Sequence, residues 1–192
     1  MNGLSAMLCE NPVIVAIKDE EYLRAAIASP CRILFLLTGN ICSVESTVKQ
    51  VRDAGKGIYI HMDLIEGFGK DKYALRYIKE RVSPDGVITT RAPLVKIAKD
   101  LAITAIQRVF LIDNLSFTTG IQSIRQVKPD AVEILPGIMP AVTEKMCRAI
   151  PIPVIAGGLV NDVKDIKNAL KAGAVGVSTS TPAMWDWRSA AK

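Results

Sequence analysis

A short apolar segment followed by an amphipathic one recurs eight times along this chain, at intervals of roughly 20 to 28 residues. Each apolar segment is about six residues long, is rich in β-branched residues and is bounded by Gly, Pro, Asn or Asp, as expected of β-strands. Most are apolar on both faces, which is typical of parallel strands buried between other layers. The eight predicted strands are 12–17 (PVIVAI), 32–37 (RILFLL), 57–64 (GIYIHMDL), 85–90 (DGVITT), 108–113 (RVFLID), 131–136 (AVEILP), 153–157 (PVIAG) and 174–179 (AVGVST).

The segments between these strands show helical periodicity. In the segment after the seventh strand, Val163, Ile166 and Leu170 fall on one face. The segments that begin near Thr118 and Pro140 are less regular but long enough to form helices. Strands that alternate with helices indicate a parallel sheet, and the number eight favours closure into a (β/α)8 TIM barrel. The predicted fold class is therefore α/β.

The alternative is an open, doubly wound sheet. That fold predicts a Gly-rich dinucleotide-binding turn after the first strand, and the sequence AIKDEEYL at residues 16–23 contains no glycine. With 192 residues the chain is also shorter than the ~250 that such barrels usually have. We therefore expect a minimal TIM barrel with short loops, a single domain over residues 1–192 with no appended domain.

The composition is that of an ordinary globular protein, with 49% hydrophobic and 22% charged residues. No apolar stretch approaches the ~18 residues that a membrane helix needs. The N-terminus has no basic region followed by a long apolar block. We therefore expect a cytoplasmic protein with no membrane partner. The formal net charge of +5 is compatible with binding to phosphates or nucleic acid, but many enzymes share it.

Neither the cysteines nor the histidine predict a metal or redox site. Cys9, Cys31, Cys42 and Cys147 form no CxxC pair, and the simplest interpretation is that they are small, buried, reduced side chains. His61 is the only histidine, and one histidine without neighbouring thiolates does not build a zinc site. We expect no metal and no cofactor.

The loops after the last two predicted strands are the strongest candidate for a ligand site, because these loops often form a phosphate site in a (β/α)8 barrel. Backbone N–H groups around Gly157 and Gly158 are predicted to face the barrel mouth, where the missing side chains allow close approach to phosphate oxygens. Those around Thr179 and Ser180 face it from the next repeat, with a short helix that begins at Pro182 behind them. The alternative is that the glycines only form a tight turn between strand and helix.

Polar side chains also mark the ends of other predicted strands. Asp63 and Glu66 come at and just after the end of the third strand, and Arg91 follows the fourth. Glu133 lies inside the otherwise apolar sixth strand, where an unpaired carboxylate is costly. Lys18, at the end of the first strand, is its candidate partner if both face inward. Glu133 and Lys18 are equally well explained as a structural ion pair or as ligand contacts, whereas the position of Asp63 favours a functional role.

Six motifs of the chain carry a resemblance to a known family in their order and spacing: HMDLIEG, DGVITTR, AIQRVFLID, VEILPGIMP, PVIAGGLV and ALKAGAVGVSTS. Together they resemble the glycerol-3-phosphate-responsive antiterminator family, over about Pro12 to Trp185. AGG and GVSTS alone recur in many phosphate-binding barrels, whereas AIQRVFLID combined with EILPGIMP is much more specific.

The resemblance implies a regulator rather than an enzyme. Proteins of this family are barrels that sense glycerol 3-phosphate and, when it is bound, act on leader mRNA of glycerol-utilisation genes so that transcription passes a terminator. Asp63, Glu66 and Glu133 match motif positions where the glycerol hydroxyls are held in this interpretation, while Lys18 and Arg91 are further polar contacts. The implied phosphate pocket consists of Gly157, Gly158, Thr179 and Ser180.

A regulator of this kind needs a surface for RNA, and the sequence contains no recognised RNA module. There is no RNP1 aromatic motif, no GXXG motif of the KH type and no Arg-rich tail. RNA is therefore expected to bind the surface of the barrel itself, with two barrels acting together as a homodimer. A basic helical face is more often simply solvated, but two faces are candidates: Lys72, Arg76 and Lys79 on the third helix, and Lys164, Lys167 and Lys171 on the seventh.

The alternative function is an isomerase, aldolase or lyase acting on a small phosphorylated substrate. It explains a phosphate site and strand-end carboxylates equally well. A Schiff-base enzyme needs a lysine inside the barrel, and only Lys18 lies near a strand end. A proton-transfer enzyme would use Asp63 or Glu133. The family resemblance favours the regulator, for which no catalytic residue is expected.

Overall fold

The computed structural model describes residues 3–187, in which eight parallel strands close into a barrel. Each strand pairs with its neighbour in chain order, and β8 pairs with β1 to close the barrel. The TIM-barrel prediction is thus confirmed. The strands are β1 (Val13–Ile17), β2 (Ile33–Leu36), β3 (Gly57–His61), β4 (Gly86–Thr89), β5 (Ala105–Phe110), β6 (Ala131–Leu135), β7 (Val154–Gly157) and β8 (Gly176–Thr179).

Seven of the eight described α-helices follow β1 to β7, and one precedes the barrel. A 3₁₀ turn (Glu20–Tyr22) leads into α2, and a π-turn (Ile78–Val82) continues α4. After β8 the described chain contains a three-residue 3₁₀ turn, Pro182–Met184. The helices are α1 (Gly3–Glu10), α2 (Leu23–Ala28), α3 (Val44–Asp53), α4 (Lys72–Tyr77), α5 (Ala92–Asp100), α6 (Asn114–Val127), α7 (Pro140–Ala149) and α8 (Val163–Lys171). No helix within residues 3–187 is both long enough and apolar enough to cross a membrane.

Helix α1, which the sequence periodicity does not predict, closes the N-terminal end of the barrel. Its Leu4 and Leu8 are buried and pack with the residues that fill the barrel interior. The fit at Leu8 is close, because a Cβ added at Gly176 would lie 2.8 Å from its Cδ2. The interior residues in this cluster are Ile14, Ile33, Phe35, Tyr59, Ile88, Ile106, Ala131 and Ile155.

The fifth strand begins and ends three residues earlier than predicted, at Ala105–Phe110 instead of 108–113. The predicted bounds are wrong because Gln107 and Arg108, which interrupt the apolar run, lie inside the strand and not before it. Both side chains are buried and have partners. Gln107 donates a hydrogen bond to the Ser123 hydroxyl on α6, and Arg108 forms an ion pair inside the barrel.

The following helix also begins earlier than predicted, at Asn114 and not near Thr118. Asp113 caps this helix by accepting a hydrogen bond from the backbone N–H of Ser116, whose hydroxyl accepts from the backbone of Asp113 in return. Reciprocal bonds of this kind satisfy N–H groups that the first helical turn leaves without partners. Capping therefore overrides the weak apolar periodicity here.

The prediction of buried cysteines is correct for Cys31 and wrong for two of the others. The thiol of Cys31 donates a hydrogen bond to the carbonyl of Trp185, and burial raises its pKa to about 11. Cys147 is half-buried, while Cys9 and Cys42 are exposed. Cys9 lies on the face of α1 opposite the buried Leu4 and Leu8, and Cys42 lies in an exposed turn next to the exposed Ile41.

Leu8→Ala is expected to lower the free energy of unfolding by about 2–5 kcal/mol, because it removes buried methyl groups and leaves a cavity at the closed end of the barrel. Equilibrium denaturation in urea measures the change. Cys9→Ala, one position along the same helix but exposed, serves as the control and should change stability by less than about 0.5 kcal/mol. Equal stability of wild type and Leu8→Ala would mean that α1 does not seal the barrel.

Candidate ligand-binding site

A cavity of about 210 Å³ opens at the C-terminal ends of the strands. Its walls come from β1, β5, β6, β8, Leu37 just after β2, and the loop between β7 and α8. Drug-sized ligands occupy pockets of roughly 300–1,000 Å³, so this volume suits a smaller metabolite. Five residues predicted from the sequence line it together: Lys18, Glu133, Gly158, Thr179 and Ser180.

The two glycines after β7 are required for different reasons. Gly158 lines the cavity and has φ +76°, a left-handed conformation in which glycine carries no steric penalty. Gly157 is not part of the lining. A Cβ at Gly157 would lie 2.6 Å from Oε1 of Glu133 and would collide with the Ser178 hydroxyl. Glycine at this position therefore makes room for a buried carboxylate.

Several backbone N–H groups at the cavity have no acceptor within residues 3–187. They belong to Gly158, Leu159, Val160 and Ser180, all of which line the cavity. Leu159 also has a positive φ, +62°, which is uncommon for a residue other than glycine. Successive backbone N–H groups that a turn leaves unpaired are typical of anion-binding loops.

The loop between β7 and α8 is fastened to the end of β8. The carbonyl of Val160 accepts a hydrogen bond of 2.8 Å from the Thr179 hydroxyl, and the Thr181 hydroxyl donates to Oδ1 of Asn161 at 3.0 Å. The Trp185 indole in turn donates to the carbonyl of Thr179. These bonds hold the two phosphate-site loops of the sequence prediction against each other.

Helix ends contribute less to this site than the sequence suggested. The predicted helix after β8 is only the three-residue turn that starts at Pro182, too short to carry a useful dipole. The N-terminus of α8 is already capped, because Asp162 accepts from the Asp165 backbone and the Asp165 carboxylate accepts from Asn161 and Asp162. Donors for an anion must therefore come from loop amides and side-chain cations.

A buried ion pair forms the floor of the cavity. Nε of Arg108 donates to Oε2 of Glu133 at 2.6 Å, and the Ser178 hydroxyl donates to Oε1 at 2.6 Å. The Arg108 and Glu133 side chains are 8% and 1% exposed. Lys18 is exposed and has no ion-pair partner within the described part of the chain, so the predicted Lys18–Glu133 pair is wrong.

Arg108 is thus a site residue that the sequence reasoning missed. It lies directly opposite Glu133 in the register of β5 with β6. Two opposite charges, each inside an otherwise apolar strand and on neighbouring strands, are the pattern that reveals such a pair. The predicted boundary of the fifth strand obscures this pair, because it places Arg108 at the first position of the strand and not inside it.

Asp63 and Arg91 lie outside the lining of the cavity. Because β3 ends at His61, Asp63 sits in the following turn, where it accepts hydrogen bonds from the Thr89 hydroxyl, the Thr90 backbone and Nε of Arg91. Partial burial opposes ionisation of Asp63, but the bonds from Thr90 and Thr89 outweigh it and hold its pKa below the usual value. Both carboxylate oxygens are therefore engaged in joining the ends of β3 and β4.

Glu66 is exposed in the loop after β3 and is not part of the cavity wall either. Its carbonyl accepts from the Ile41 backbone and its N–H donates to the Gly39 carbonyl, in a short bridge to the loop after β2. The structure thus gathers five of the nine predicted ligand residues around one cavity and leaves Gly157, Asp63, Glu66 and Arg91 outside its lining.

His61 is buried inside the barrel, with a side chain that is 2% exposed. Its Nδ1 accepts a hydrogen bond from the Asp63 backbone, so Nε2 carries the proton, and Nε2 has no partner within residues 3–187. Burial and, second, the positive charge of Arg108 lower the pKa of His61 to about 4. The imidazole is therefore neutral at neutral pH.

The two basic faces predicted for RNA differ in the structure. On α8, Lys164, Lys167 and Lys171 are all exposed and form no hydrogen bond or ion pair within residues 3–187. On the other face, the helix changes to a π-turn after Tyr77, and Nζ of Lys79 donates to the Leu101 carbonyl at the end of α5.

Lys72 and Arg76 of this second face are exposed on α4, and Nζ of Lys72 lies 5.0 Å from the centre of the Tyr73 ring. With Lys79 bound to the neighbouring helix, the three cations do not form an equally free stripe.

Comparison with known proteins decides the family. The family model described as glycerol-3-phosphate responsive antiterminator matches residues 13–185. The chain belongs to this family. This chain is also similar to the crystal structure of the glycerol uptake operon antiterminator regulatory protein from Listeria monocytogenes, with a TM-score of 0.89 and 31% identity over 93% of this chain and 96% of that one.

Two further relatives cover a similar span. A glycerol uptake operon antiterminator-related protein from Thermotoga maritima has a TM-score of 0.82 and 30% identity, over 91% of this chain and 98% of its own. The uncharacterized protein YgcP of Escherichia coli K12 is 40% identical over 179 residues, which is 93% of this chain and 94% of YgcP. The resemblance inferred from the motifs is therefore confirmed, and the two structures bear the names of regulators, not of enzymes.

Stability of this antiterminator-family barrel is expected to fall between pH 6.5 and pH 4 because of His61. The unfolded chain takes up a proton near pH 6.5, whereas the folded one does so only near pH 4, so the unfolded state binds more protons in this window. The contribution is complete above pH 6.5, and its loss amounts to about 3 kcal/mol at pH 4. Urea unfolding at stepped pH measures it.

His61→Gln is the control variant, since His61 is the only histidine in the chain. The variant should lack this part of the pH dependence and keep the loss caused by Asp63 at lower pH. Parallel stability curves for wild type and His61→Gln would contradict a buried, neutral histidine.

Proposed function

We propose that the protein is a ligand-responsive transcription antiterminator that binds glycerol 3-phosphate in the cavity at the barrel mouth and acts on leader mRNA of glycerol-utilisation genes. The observation that carries the proposal is the set of unpaired N–H groups around Gly158 and Ser180, next to a small cavity, in a chain of this family. Such donors favour a phosphate dianion, and the cavity volume suits a three-carbon ester.

The charges at the cavity support an anionic ligand. Lys18 lies in its wall and is free of any ion pair within the described residues, while Arg108 lies in its floor. Glu133 is the one acidic residue in the wall, and its charge is balanced by Arg108. Lys18 is thus the cation left to neutralise a bound phosphate.

The enzyme alternative is weakened by the state of its candidate catalytic groups. Asp63 accepts four hydrogen bonds and Glu133 is bonded at both oxygens, so neither is a free general base. Lys18 is exposed, whereas lysines that form Schiff bases are commonly activated by desolvation. These observations favour a site that binds its ligand and leaves it unchanged.

The RNA surface that fits best is the α8 face of Lys164, Lys167 and Lys171, because its three cations are free to contact phosphates. This helix begins directly after the loop that lines the cavity, and Asn161 belongs to both the cavity wall and the hydrogen bonds at the start of the helix. A ligand that shifts the loop would therefore shift the cations. Two barrels acting together would supply two such faces.

Glycerol 3-phosphate is expected to stabilise the fold, and glycerol is not. Only the ester carries the negative charge that the loop amides and Lys18 can bind. At a hundredfold excess over Kd the ligand should raise the free energy of unfolding by about 2.7 kcal/mol. Thermal melts with and without each compound measure this. A melting temperature unchanged by millimolar glycerol 3-phosphate would refute the sensor function.

Gly158→Asp should abolish the ligand response, since it places a carboxylate beside the phosphate. Gly158→Asn is the matched control: Asn has nearly the same size and tolerates the left-handed conformation about as well, but carries no charge. Any packing cost against Leu135 is common to both variants. In calorimetric titrations we expect the Gly158→Asn variant to bind glycerol 3-phosphate at least tenfold more tightly than the Gly158→Asp variant. Equal affinities would place the phosphate elsewhere.

RNA binding is expected to weaken steeply with salt, because Lys and Arg contacts release counterions. Replacing Lys164, Lys167 and Lys171 together by Gln should reduce the slope of log K against log salt by about 2, with ligand affinity unchanged. Replacing the α4 face (Lys72, Arg76 and Lys79) should have less effect. Gel-shift titrations over a salt series with leader mRNA test this, and light scattering in the same buffers gives the oligomeric state. Turnover of a phosphorylated three-carbon compound without RNA binding would favour the enzyme.

A further inference from the structure

Arg108 presents unused donors to the cavity. A guanidinium has five N–H donors, and within residues 3–187 only Nε of Arg108 is hydrogen-bonded. The two terminal nitrogens have no protein acceptor, although the side chain is 8% exposed and lies in the cavity wall. These nitrogens are not among the fully buried atoms that lack a partner, so they reach the cavity space. The cavity floor is therefore complementary to a ligand that brings oxygen atoms to it.

Glu133 restricts which chemical group of the ligand can supply those oxygen atoms. Each of its carboxylate oxygens accepts one hydrogen bond, from Arg108 or Ser178, and each retains a lone pair. A phosphate oxygen placed here would accept from Arg108 but would be repelled by the carboxylate. A hydroxyl group can accept from Arg108 and donate to Glu133 at once. The floor is therefore suited to hydroxyls, and the loop amides and Lys18 at the rim are suited to phosphate.

We propose that Arg108, Glu133 and Ser178 form a hydroxyl-recognition subsite, which makes the cavity selective for phosphate monoesters of short polyols over alkyl phosphates without hydroxyls. This inference rests on the proposed function, because it concerns the same ligand and cavity. It also fixes the orientation of the ligand, with its phosphate at the rim and its hydroxyls on the floor.

The expected selectivity is large. A site built to hydrogen-bond a hydroxyl rejects an analogue without it more strongly than an apolar pocket does, because the polar groups of the protein are then left unpaired. Glycerol 3-phosphate should bind about 100-fold more tightly than n-propyl phosphate, which has the same number of carbons and the same charged group but no hydroxyl.

Calorimetric titration of wild-type protein with the two esters is the first test. A ratio of affinities near 100 supports the subsite. Binding of both esters with equal affinity overturns it while leaving the phosphate sensor intact. Binding of neither ester overturns the sensor and the subsite together. If both esters bind more tightly than inorganic phosphate by the same factor, the floor recognises only the carbon chain. That result also contradicts the proposal.

The double variant Arg108→Met, Glu133→Leu is the second test. Replacing a buried ion pair by apolar residues of similar volume is often tolerated by the fold. Glycerol 3-phosphate should bind about 100-fold more weakly to it, while n-propyl phosphate should bind as well as or better than to wild type. If the affinities for both ligands fall by the same factor, the ion pair has only a structural role.

The matched control is Arg148→Met, Glu144→Leu, which makes the same chemical changes in an exposed ion pair on α7. It should keep the wild-type ratio of affinities. Glu133→Gln is a conservative second variant that keeps the shape of the floor. We expect it to lower the ratio about tenfold, and an unchanged ratio would contradict the role of the carboxylate even if the double variant fails to fold.

Discussion

The buried ion pair between Arg108 and Glu133 constrains the geometry of the whole C-terminal half of the barrel. It spans β5 and β6, and Ser178 of β8 completes it from across β7. β7 must then carry glycine at position 157, since a Cβ there would collide with the carboxylate. One electrostatic requirement, that a charge inside a barrel be paired and hydrogen-bonded, thus determines residue choice on four adjacent strands.

The periodic features of the fold were predictable from the sequence, because strands buried on both faces and amphipathic helices leave a repeated pattern. The exceptions are polar residues inside elements. Arg108 resembles a strand edge in the sequence, since periodicity alone does not reveal that a charge has a buried partner. Helix α1 was not predicted either, because its two core contacts, Leu4 and Leu8, are too few to define a face.

The site was predictable only in part, for a similar reason. Loops that follow β7 and β8 meet at the barrel mouth by topology, so Gly158, Thr179 and Ser180 could be placed together from the order of the strands. Asp63 could not be judged in this way. Its carboxylate is occupied by the neighbouring strand end, and such local hydrogen bonds depend on loop conformations that the sequence pattern does not encode.

The carboxylates on the two sides of the barrel mouth are both held by hydrogen bonds. On the β3–β4 side the carboxylate of Asp63 joins strand ends, and on the β5–β6 side that of Glu133 holds a cation. Catalysis of proton transfer needs a base that is free to change its protonation state. A sensor needs only that ligand binding favour one arrangement of a mobile element. The loop of Gly158 and Leu159 has unpaired N–H groups and continues directly into α8, so a ligand that binds these amides would contact the same backbone that positions the helix.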